Sequence, residues 1–500
     1  MTLRIALVRA VGAAVPVCVV IVLSVLICVA TAVGNVSEVA ALVGAIGLCL
    51  GLAIVTSLGK KIHPLSLFAV FTYSHGALFI LRPLYNGIFQ GAIDPFGAGQ
   101  HAASIVLAAV IAAAGFIFVA LLYGLLKRPG RPSFDIQALP SGEWRTAVPW
   151  IIVVVVAGVA LYSVYVRQLG GLDRLVAVSG GRSVELTQAL ASASGYFTSG
   201  LLFTLGASTL IYCQGLRSGR RKLAILGVTL LVVGSGPQLL TGSRSVFLPL
   251  AVTLLVCFVW VYPGRIRPAY VVIGAIPAFL LFFIVPRVLR QVSAENAQGS
   301  GLLSQFAPRE VLDGFFGGLD TAMLDAFAHQ VAEQGSLQLP SAGGSTYLGA
   351  LGAAIPRAWW ADKPQTVDTL LNQALFPDTA ARSIGFSFGV YSEPYLNFGM
   401  LGVLIFCAIL GSIFALVDNI MLGRMGLFEL SLCALAIGSL FPIVRGSLTF
   451  DSQRFLIPAI PILFVYLMVR VLNSGGDQPG EGRRGTRVGK FRLPATSSSL

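Results

Sequence analysis

Long runs of apolar residues, broken by short polar segments, extend along most of the chain. A helix needs about 20 mostly apolar residues to span the hydrocarbon core of a bilayer. Because backbone polar groups inside a bilayer must bond to one another, runs of this length predict transmembrane helices. We predict an all-α polytopic membrane protein with about 12 spans, whose approximate cores are 11–33, 37–57, 64–81, 103–126, 147–166, 195–214, 222–238, 246–262, 269–286, 397–418, 427–444 and 455–471.

The same pattern divides the chain into four regions. We expect an N-terminal bundle of about nine spans at 1–286, a large extracytoplasmic loop at 287–396, three further spans at 397–471 and a disordered basic cytoplasmic tail at 472–500. Between Val311 and Val331, apolar residues recur at three- and four-residue steps. This spacing predicts an amphipathic helix that lies on the membrane surface or caps a cavity. The first run is longer than the apolar part of a typical signal peptide, so we expect it to be retained.

The polar segments alternate between basic and non-basic. Those that the alternation places in the cytoplasm carry 21 of the 34 basic residues and 6 of the 21 acidic ones, against 13 and 15 on the other side. Cytoplasmic loops of membrane proteins carry an excess of Lys and Arg, so both termini are expected to be cytoplasmic. The formal net charge of +13 is therefore a topology signal, and nothing in the sequence indicates a nucleic-acid partner.

The composition excludes a soluble domain of ordinary size. Only 11% of the residues are charged and 56% are hydrophobic, whereas soluble domains carry about 25% charged residues. The seven cysteines all fall in predicted spans and none has metal-ligand spacing. We therefore expect no structural disulfide and no metal site.

Arginines in the outer segments are candidate ligands for an anion. Arg182 follows Gly180 and Gly181, and Arg244 lies in a second turn with glycine, Thr241–Ser245. Glycines expose backbone N–H groups beside the guanidinium, a combination that suits a phosphate or diphosphate. The alternatives are a flexible, solvated turn at Arg182 and a snorkelling side chain at Arg244.

Arginines in two other outer segments could have either a structural role or a role in a site. Arg82 lies at a membrane boundary, where it is either an interfacial anchor or part of a site. In the last outer turn, Asp451 stands between Arg445 and Arg454. This spacing fits a structural Asp–Arg pair and fits a further anion contact about equally well.

Four residues are candidates for proton transfer: Glu393, Asp325, His329 and Asp320. Glu393 lies directly before a predicted span, and an acid so close to hydrocarbon is expected to be functional. Asp325 and His329 are four residues apart on the predicted amphipathic helix, which suits a general-base pair and equally suits a solvated pair. We rank Glu393 first as the base, with His329 and Asp320 behind it.

Aromatic residues accompany these charges. Trp359 and Trp360 stand between Arg357 and Lys363, and Tyr395 follows Glu393. Tryptophan is enriched at the membrane–water interface, and aromatic rings also stack on sugars. We therefore hold Trp359, Trp360 and Tyr395 as candidate glycan contacts beside an interfacial role.

Three blocks carry a resemblance to a known family: Ile355-Pro356-Arg357 with Asp362-Lys363-Pro364; Ser392-Glu393 with Asn397-Phe398-Gly399 and Gly402; and Thr241-Gly242-Ser243-Arg244. In these the chain resembles the O-antigen (Wzy-type) oligosaccharide repeat-unit polymerases. The resemblance covers the second half of the chain well and the first half only by topology. The family pattern of an Arg followed by Gly eleven residues later is not clear here, since Arg182 leads to Ala193 and Arg309 to Asp320.

The resemblance implies a GT-C-like membrane glycosyltransferase of the bacterial cytoplasmic (inner) membrane, acting in O-antigen or surface polysaccharide biosynthesis. It would polymerise repeat units carried on a polyprenyl diphosphate such as undecaprenyl diphosphate, without a metal or other cofactor. A flippase and a chain-length regulator are the implied protein partners. In this hypothesis Arg182, Arg244, Arg357 and Arg445 bind the diphosphate, and Arg suits bidentate phosphate contact better than Lys. Arg357 and Glu393 would form one wall of the site, and Arg182 and Arg244 the other.

Other functions remain open at this point. An O-antigen ligase, which transfers a finished glycan, would have similar outer arginines. A transporter of polysaccharide or lipid-linked oligosaccharide would suit 12 spans, but the charges gather at span ends rather than at mid-membrane, where transport sites lie. A structural scaffold would explain neither the outer arginines nor Glu393.

Overall fold

The computed structural model describes residues 36–90, 102–130, 139–171, 199–240, 244–263, 312, 315–316, 321–335, 339–351, 360, 362, 364–381, 385–423 and 425–474. These residues form helices and the turns between them, and no β-strand occurs within them. The helices are α1 (Val36–Ser57), α2 (Leu67–Phe89), α3 (Ala102–Leu126), α4 (Ser141–Leu169), α5 (Ser199–Arg217), α6 (Arg221–Leu240), α7 (Arg244–Val261), α8 (Met323–Gly335), α9 (Ser345–Leu351), α10 (Val367–Leu375), α11 (Pro377–Ala381), α12 (Ser392–Ile420), α13 (Leu427–Arg445), α14 (Leu448–Asp451) and α15 (Gln453–Ser474).

Seven of the described helices are long and apolar enough to cross a membrane: α1, α2, α3, α4, α12, α13 and α15. The protein is thus a helical, polytopic membrane protein. Helices α5, α6 and α7 lie where three further spans are predicted, at 195–214, 222–238 and 246–262. The predicted spans at 11–33 and 269–286 lie outside the described residues, so the total of about 12 stays a prediction.

The spans pack around α3 and α5. Helix α3 contacts α1 and α12, while α5 contacts α4, α6 and α15. Small residues permit the closest approaches. A Cβ atom added at Gly158 of α4 would lie 2.6 Å from the backbone oxygen of Gly200 in α5. Such small-residue contacts are how membrane helices gain van der Waals packing when lipid removes the hydrophobic driving force between them.

Three of the polar segments predicted to be cytoplasmic meet at one end of the bundle, which we name the basic end. Lys60 donates to the backbone oxygen of Lys127. The backbone N–H of Arg128 donates to Asn419 Oδ1 at 2.8 Å, and Lys127 Nζ lies 3.8 Å from Asp418 Oδ2. The loop after α1, the end of α3 and the end of α12 therefore share one end, as the charge alternation predicts.

Helix α2 is tied to α8 by a buried ion pair. Its course includes two π-helical stretches, Gly76–Leu81 and Asn86–Gln90, on either side of Arg82. Arg82 is 1% exposed, and its Nε donates to Asp325 Oδ2 at 2.7 Å. Arg82 also donates to Thr321 Oγ1 at 3.0 Å. Of the two roles considered for Arg82, the interfacial anchor is therefore ruled out by its burial against α8. Asp325 is bonded to this arginine rather than solvated.

Helix α8 occupies part of the predicted amphipathic segment. It is described from Met323, and Leu312, Phe315 and Phe316 are also helical. Most of its first nine residues are buried, and their apolar side chains join the main core through contacts with α3. The periodic face read from the sequence is thus packed against protein.

Candidate functional site

A second apolar cluster lies at the opposite end of the bundle from the basic end. It joins α8, α10, the segment 386–388 and the first turn of α12, through Ala326, Leu339, Val367, Leu371, Phe386, Phe388 and Leu396. These residues come from segments that are far apart in the sequence. Their burial fixes the loop helix α10 against the start of the spanning helix α12, and so determines where the polar residues beside them lie.

Side-chain hydrogen bonds hold α10 in this position. Thr366 caps its N-terminus by accepting from the backbone N–H of Thr369. Asn372 acts as a clamp on the neighbouring segment: its Nδ2 donates to the Phe386 oxygen at 2.9 Å, and its Oδ1 accepts from the Phe386 N–H at 2.7 Å. Asp368, in the first turn of α10, is thereby held beside the chain that leads into α12.

Asp368 has an environment that is unusual for a loop carboxylate. Its Oδ2 accepts a hydrogen bond from Ser447 Oγ at 2.5 Å. Its Oδ1 is shielded from solvent and has no hydrogen-bond partner among the described residues. Burial raises the pKa of Asp368 to about 7; the hydrogen bond from Ser447 opposes this shift, as does Arg445, while the negative charges of Asp451 and Glu393 add to it. The group therefore changes charge near neutral pH.

Glu393 lies in the first turn of α12 and is fully buried, at 0% exposure. Ser392 beside it bonds to Gln330 of α8 through its hydroxyl, and Gln330 Nε2 donates to the Ser392 oxygen at 3.0 Å. Burial raises the pKa of Tyr347 in α9, and the charge of Glu393 adds to that shift. The charge of Glu393 thus acts on residues of both α9 and α10.

Asn397 binds the loop before α9 to the start of α12. Its Nδ2 donates to Thr346 Oγ1 at 2.7 Å and to the Glu393 oxygen at 2.8 Å, and its Oδ1 accepts from the Gly344 N–H at 2.7 Å. Its own backbone oxygen accepts from Ser341 Oγ at 2.7 Å. Within the block Ser392-Glu393 with Asn397-Phe398-Gly399, the hydrogen bonds of Ser392 and Asn397 therefore fix the helical turn that carries Glu393.

A kink separates this first turn from the membrane-spanning part of α12. Phe398 and Gly399 depart from helical geometry, and Gly399 has φ +60° and ψ −151°, a conformation that is essentially restricted to glycine. Close to the kink, a Cβ atom added at Gly402 would lie 2.4 Å from the Pro394 oxygen. The two glycines allow the turn with Glu393 to leave the axis of the spanning helix.

Arg445 lies in the last turn of α13 and is half-buried. The Val390 N–H donates to the Val444 oxygen at 3.0 Å, which joins the end of α13 to the segment that enters α12. Beyond it, Arg454 Nε donates to Asp451 Oδ1 at 2.6 Å. The structural Asp–Arg pair considered from the sequence is therefore present, and it is formed by Arg454.

We name Asp368, Glu393, Arg445, Ser447 and Asp451 the acid–arginine cluster. The three carboxylates, one guanidinium and one hydroxyl come from three stretches of the chain, in α10, in the first turn of α12 and at 445–451, and the other four groups all act on Asp368. A guanidinium suits an anionic oxygen, and a carboxylate of raised pKa suits proton transfer. Within the described ranges, no three His, Cys, Asp or Glu side chains are grouped so as to hold a metal ion.

The other predicted site residues are only partly described. His329 of α8 is half-buried, with its ring 5.4 Å from that of Phe376 at the end of α10. Tyr395 packs edge-on against Phe327 at 5.5 Å, and Trp360 is half-buried. Arg244 begins α7, but its side chain is not described. Four further predicted residues lie outside the described ranges: Arg182, Asp320, Arg357 and Trp359.

The structure therefore places Glu393 and Arg445 within electrostatic range of Asp368. The two-walled site with Arg182, Arg244 and Arg357 stays a prediction. Sequence reasoning missed Asp368 and Ser447. Locally, Asp368 is an ordinary acid in the first turn of a capped helix, where it complements the helix dipole. Its special environment depends on Ser447, which is 79 residues away in the sequence.

One comparison with known proteins gives a match. The family model described as O-antigen polysaccharide polymerase Wzy matches residues 371–474. The matched range runs from α10 to α15 and contains Glu393, Asn397, Arg445 and Ser447. Neither a curated protein nor a solved structure matches the chain. The family match supports the resemblance read from the sequence.

Proposed function

We propose that this chain, whose residues 371–474 match the O-antigen polysaccharide polymerase Wzy family, polymerises oligosaccharide repeat units carried on a polyprenyl diphosphate. The reaction takes place on the outer face of the bacterial cytoplasmic membrane. The Wzy match supports the class of reaction, and the charge alternation supports the side of the membrane. The identity of the lipid carrier is part of the proposal.

The observation that carries this proposal is the acid–arginine cluster, which lies within and beside the family match. Arg445, in the last turn of α13, acts electrostatically on Asp368 and Asp451, and Glu393 also acts on Asp368. The transfer requires stabilisation of a leaving diphosphate and removal of a proton from an acceptor hydroxyl. An arginine and a set of buried carboxylates supply groups of both kinds.

In the proposed reaction, a sugar hydroxyl of the incoming unit attacks the anomeric carbon that joins the growing chain to its diphosphate. Arg445 offsets the negative charge that develops on the diphosphate as that bond breaks, and we propose that Arg182, Arg244 and Arg357 contribute to the same role. A carboxylate of the cluster accepts the proton of the attacking hydroxyl. Trp359, Trp360 and Tyr395 are the proposed contacts for the sugars.

The test is replacement of Arg445 by Ala in a strain that depends on this chain for its surface polysaccharide. We expect polymer to be lost and lipid-linked single repeats to accumulate, while the protein level is unchanged. Arg167→Ala is the matched control, since Arg167 is exposed in the last turn of α4 and is not part of the cluster. Normal chain length in Arg445→Ala at normal protein level would overturn the assignment.

The same experiment separates a polymerase from a ligase. Loss of a polymerase stops extension, so the carrier lipid holds single repeats. Loss of a ligase leaves extension intact, so the carrier lipid holds long chains. Long lipid-linked chains in Arg445→Ala would therefore favour the ligase.

A further inference from the structure

The sequence points to Glu393 as the base of the transfer, and the hydrogen bond from Ser447 orients a second carboxylate of the cluster, Asp368, for the same role. A general base needs an oxygen that is free to accept a proton, and the ideal base has a pKa near the working pH. Asp368 has one carboxylate oxygen that accepts from Ser447 and a second, Oδ1, that no described residue bonds. We propose that Asp368 is the base that deprotonates the acceptor hydroxyl, and that the negative charge of Glu393 makes Asp368 a stronger base. This proposal rests on the proposed polymerase function.

The hydrogen bond from Ser447 orients the carboxylate. With Oδ2 engaged at 2.5 Å, the rotation of the Asp368 side chain is restricted and Oδ1 is held in a fixed direction. A buried acceptor without a partner costs free energy, so a donor that arrives with the substrate gains from meeting it. A sugar hydroxyl is a donor of this kind. Asp368, in the first turn of α10, is bonded to Ser447, which lies two residues after Arg445, the proposed diphosphate ligand.

The neighbouring groups explain why this carboxylate is a stronger base than an ordinary aspartate. Burial raises the pKa of Asp368 to about 7, and the charges of Asp451 and Glu393 act in the same direction. Arg445 opposes them, while Arg454 is bonded to Asp451. Farther off, Tyr347 of α9 faces Glu393, and His329 of α8 contacts Phe376 at the end of α10. No other titratable residue lies on α10 itself.

Transfer of a proton to Asp368 accompanies formation of the new glycosidic bond. The O–H bond of the acceptor breaks, and its proton goes to Asp368 Oδ1. The acceptor oxygen forms a bond to the anomeric carbon, and the bond from that carbon to the diphosphate oxygen breaks. The electron pair stays on the diphosphate oxygen. The leaving group is the polyprenyl diphosphate, whose charge Arg445 offsets. The proton on Asp368 then returns to water.

The experiment uses right-side-out membrane vesicles from the producing strain, loaded with its own lipid-linked repeat units. Polymer formation is followed between pH 5.5 and 8.5. Because the base acts in its deprotonated form, we expect the wild-type rate to rise with pH through about 7. Asp368→Asn is expected to lose about 100-fold or more in rate, as is typical for removal of a general base. Its rate should also no longer rise with pH through about 7. Asp368→Glu is expected to recover part of the rate.

Two variants complete the design. Asp378→Asn, an exposed acid on the adjacent helix α11, is the matched control and should keep the wild-type rate and pH profile. Glu393→Gln removes a negative charge that raises the pKa of Asp368. The pH range over which the rate of this variant rises should therefore move to lower pH, while polymer is still made.

The outcomes separate the two claims. Wild-type rate and profile in Asp368→Asn, or loss of all polymer in Glu393→Gln with Asp368→Asn active, would overturn the assignment of the base and leave the polymerase function in place. Wild-type vesicles that consume no lipid-linked repeat units would overturn the proposed function itself.

Discussion

The turn at Gly446 leaves no room for a side chain beside the acid–arginine cluster. A Cβ atom added there would lie 1.7 Å from Asp451 Oδ2, far inside van der Waals contact. Asp451 is held by Arg454 and is 7% exposed, so it has little freedom to move away. The absence of a side chain at this position is therefore a condition for the cluster to form.

We predict that Gly446→Ala lowers the thermal stability of the purified protein and strongly reduces polymer formation, because the turn that carries Ser447 must shift. The matched control is Gly142→Ala in the first turn of α4, where an added Cβ meets nothing within 4 Å. Gly142→Ala should leave both quantities unchanged or slightly raise stability. Equal melting temperatures for Gly446→Ala and wild type would contradict the packing described for this turn.

Asp368 gives the stability of the protein a defined dependence on pH. Its pKa is about 7 in the folded protein against an ordinary value of 3.8. Between these two values the folded state binds the proton more tightly, so the contribution of Asp368 to the free energy of unfolding falls as pH rises and is lowest above about 7. Each tenfold difference in proton affinity corresponds to about 1.4 kcal/mol.

We predict that Asp368→Asn melts at a higher temperature than wild type at pH 8 and at a similar temperature at pH 5, because the variant removes a costly buried charge. Thermal unfolding in detergent at the two pH values measures this. A structural role would give the opposite result, with Asp368→Asn less stable than wild type at both pH values. Gain of stability with loss of activity is the signature of a residue kept for function.

Between elements, the ion pair of Arg82 and Asp325 connects the interrupted helix α2 to α8. The side chains are 1% and 9% exposed, and Thr321 adds a further bond. Removing one partner of a buried pair leaves an uncompensated charge, which costs about 3–5 kcal/mol, whereas replacing both by apolar residues of similar size is often nearly neutral. The pair therefore fixes the position of α8, and with it Gln330 behind Ser392.

We predict that Arg82→Ala and Asp325→Asn each lower the thermal stability strongly, and that the double variant Arg82→Met/Asp325→Leu regains most of the loss. Arg167→Ala serves again as the exposed control. If the double variant were as unstable as either single one, the loss would come from packing around these side chains rather than from the unpaired charge.

Helices and their ends were largely predictable because they depend on local sequence. The apolar runs at 37–57, 103–126 and 427–444 predict α1, α3 and α13 to within a few residues, since burial of apolar length in lipid is a local property. The kink at Gly399 and the π-helical stretches beside Arg82 were not predicted. They depend on contacts across the bundle, and the apolar pattern continues through them.

The same distinction applies to the site. Glu393 could be singled out as a candidate from the sequence because an acid beside a span is unusual in itself. Asp368 was not, since its burial is created by Ser447 and by the apolar cluster around Leu371. Arg82 was read as a boundary residue, and only the distant Asp325 explains its burial. Chemistry that arises from long-range contacts leaves little trace in the local sequence.

At the scale of the whole molecule, the basic end and the end with the acid–arginine cluster must face opposite sides of the membrane. Lys61 is exposed at the basic end, and Ser341 is exposed at the other. We predict that Ser341→Cys reacts with a membrane-impermeant maleimide in intact spheroplasts, and that Lys61→Cys reacts only after permeabilisation. The parent protein, with its native cysteines, gives the background. Labelling in the reverse order would place the cluster in the cytoplasm and remove the proposed substrate.

Synthesis of polymer by the purified protein tests the central claim most directly. The protein is reconstituted in liposomes with polyprenyl-diphosphate-linked repeat units as the only source of sugar. We predict a ladder that grows by one repeat unit at a time, with one polyprenyl diphosphate released for each linkage formed and no ladder from Arg445→Ala. Repeat units that stay single, or that cross the bilayer without being joined, would contradict a polymerase and indicate a transporter.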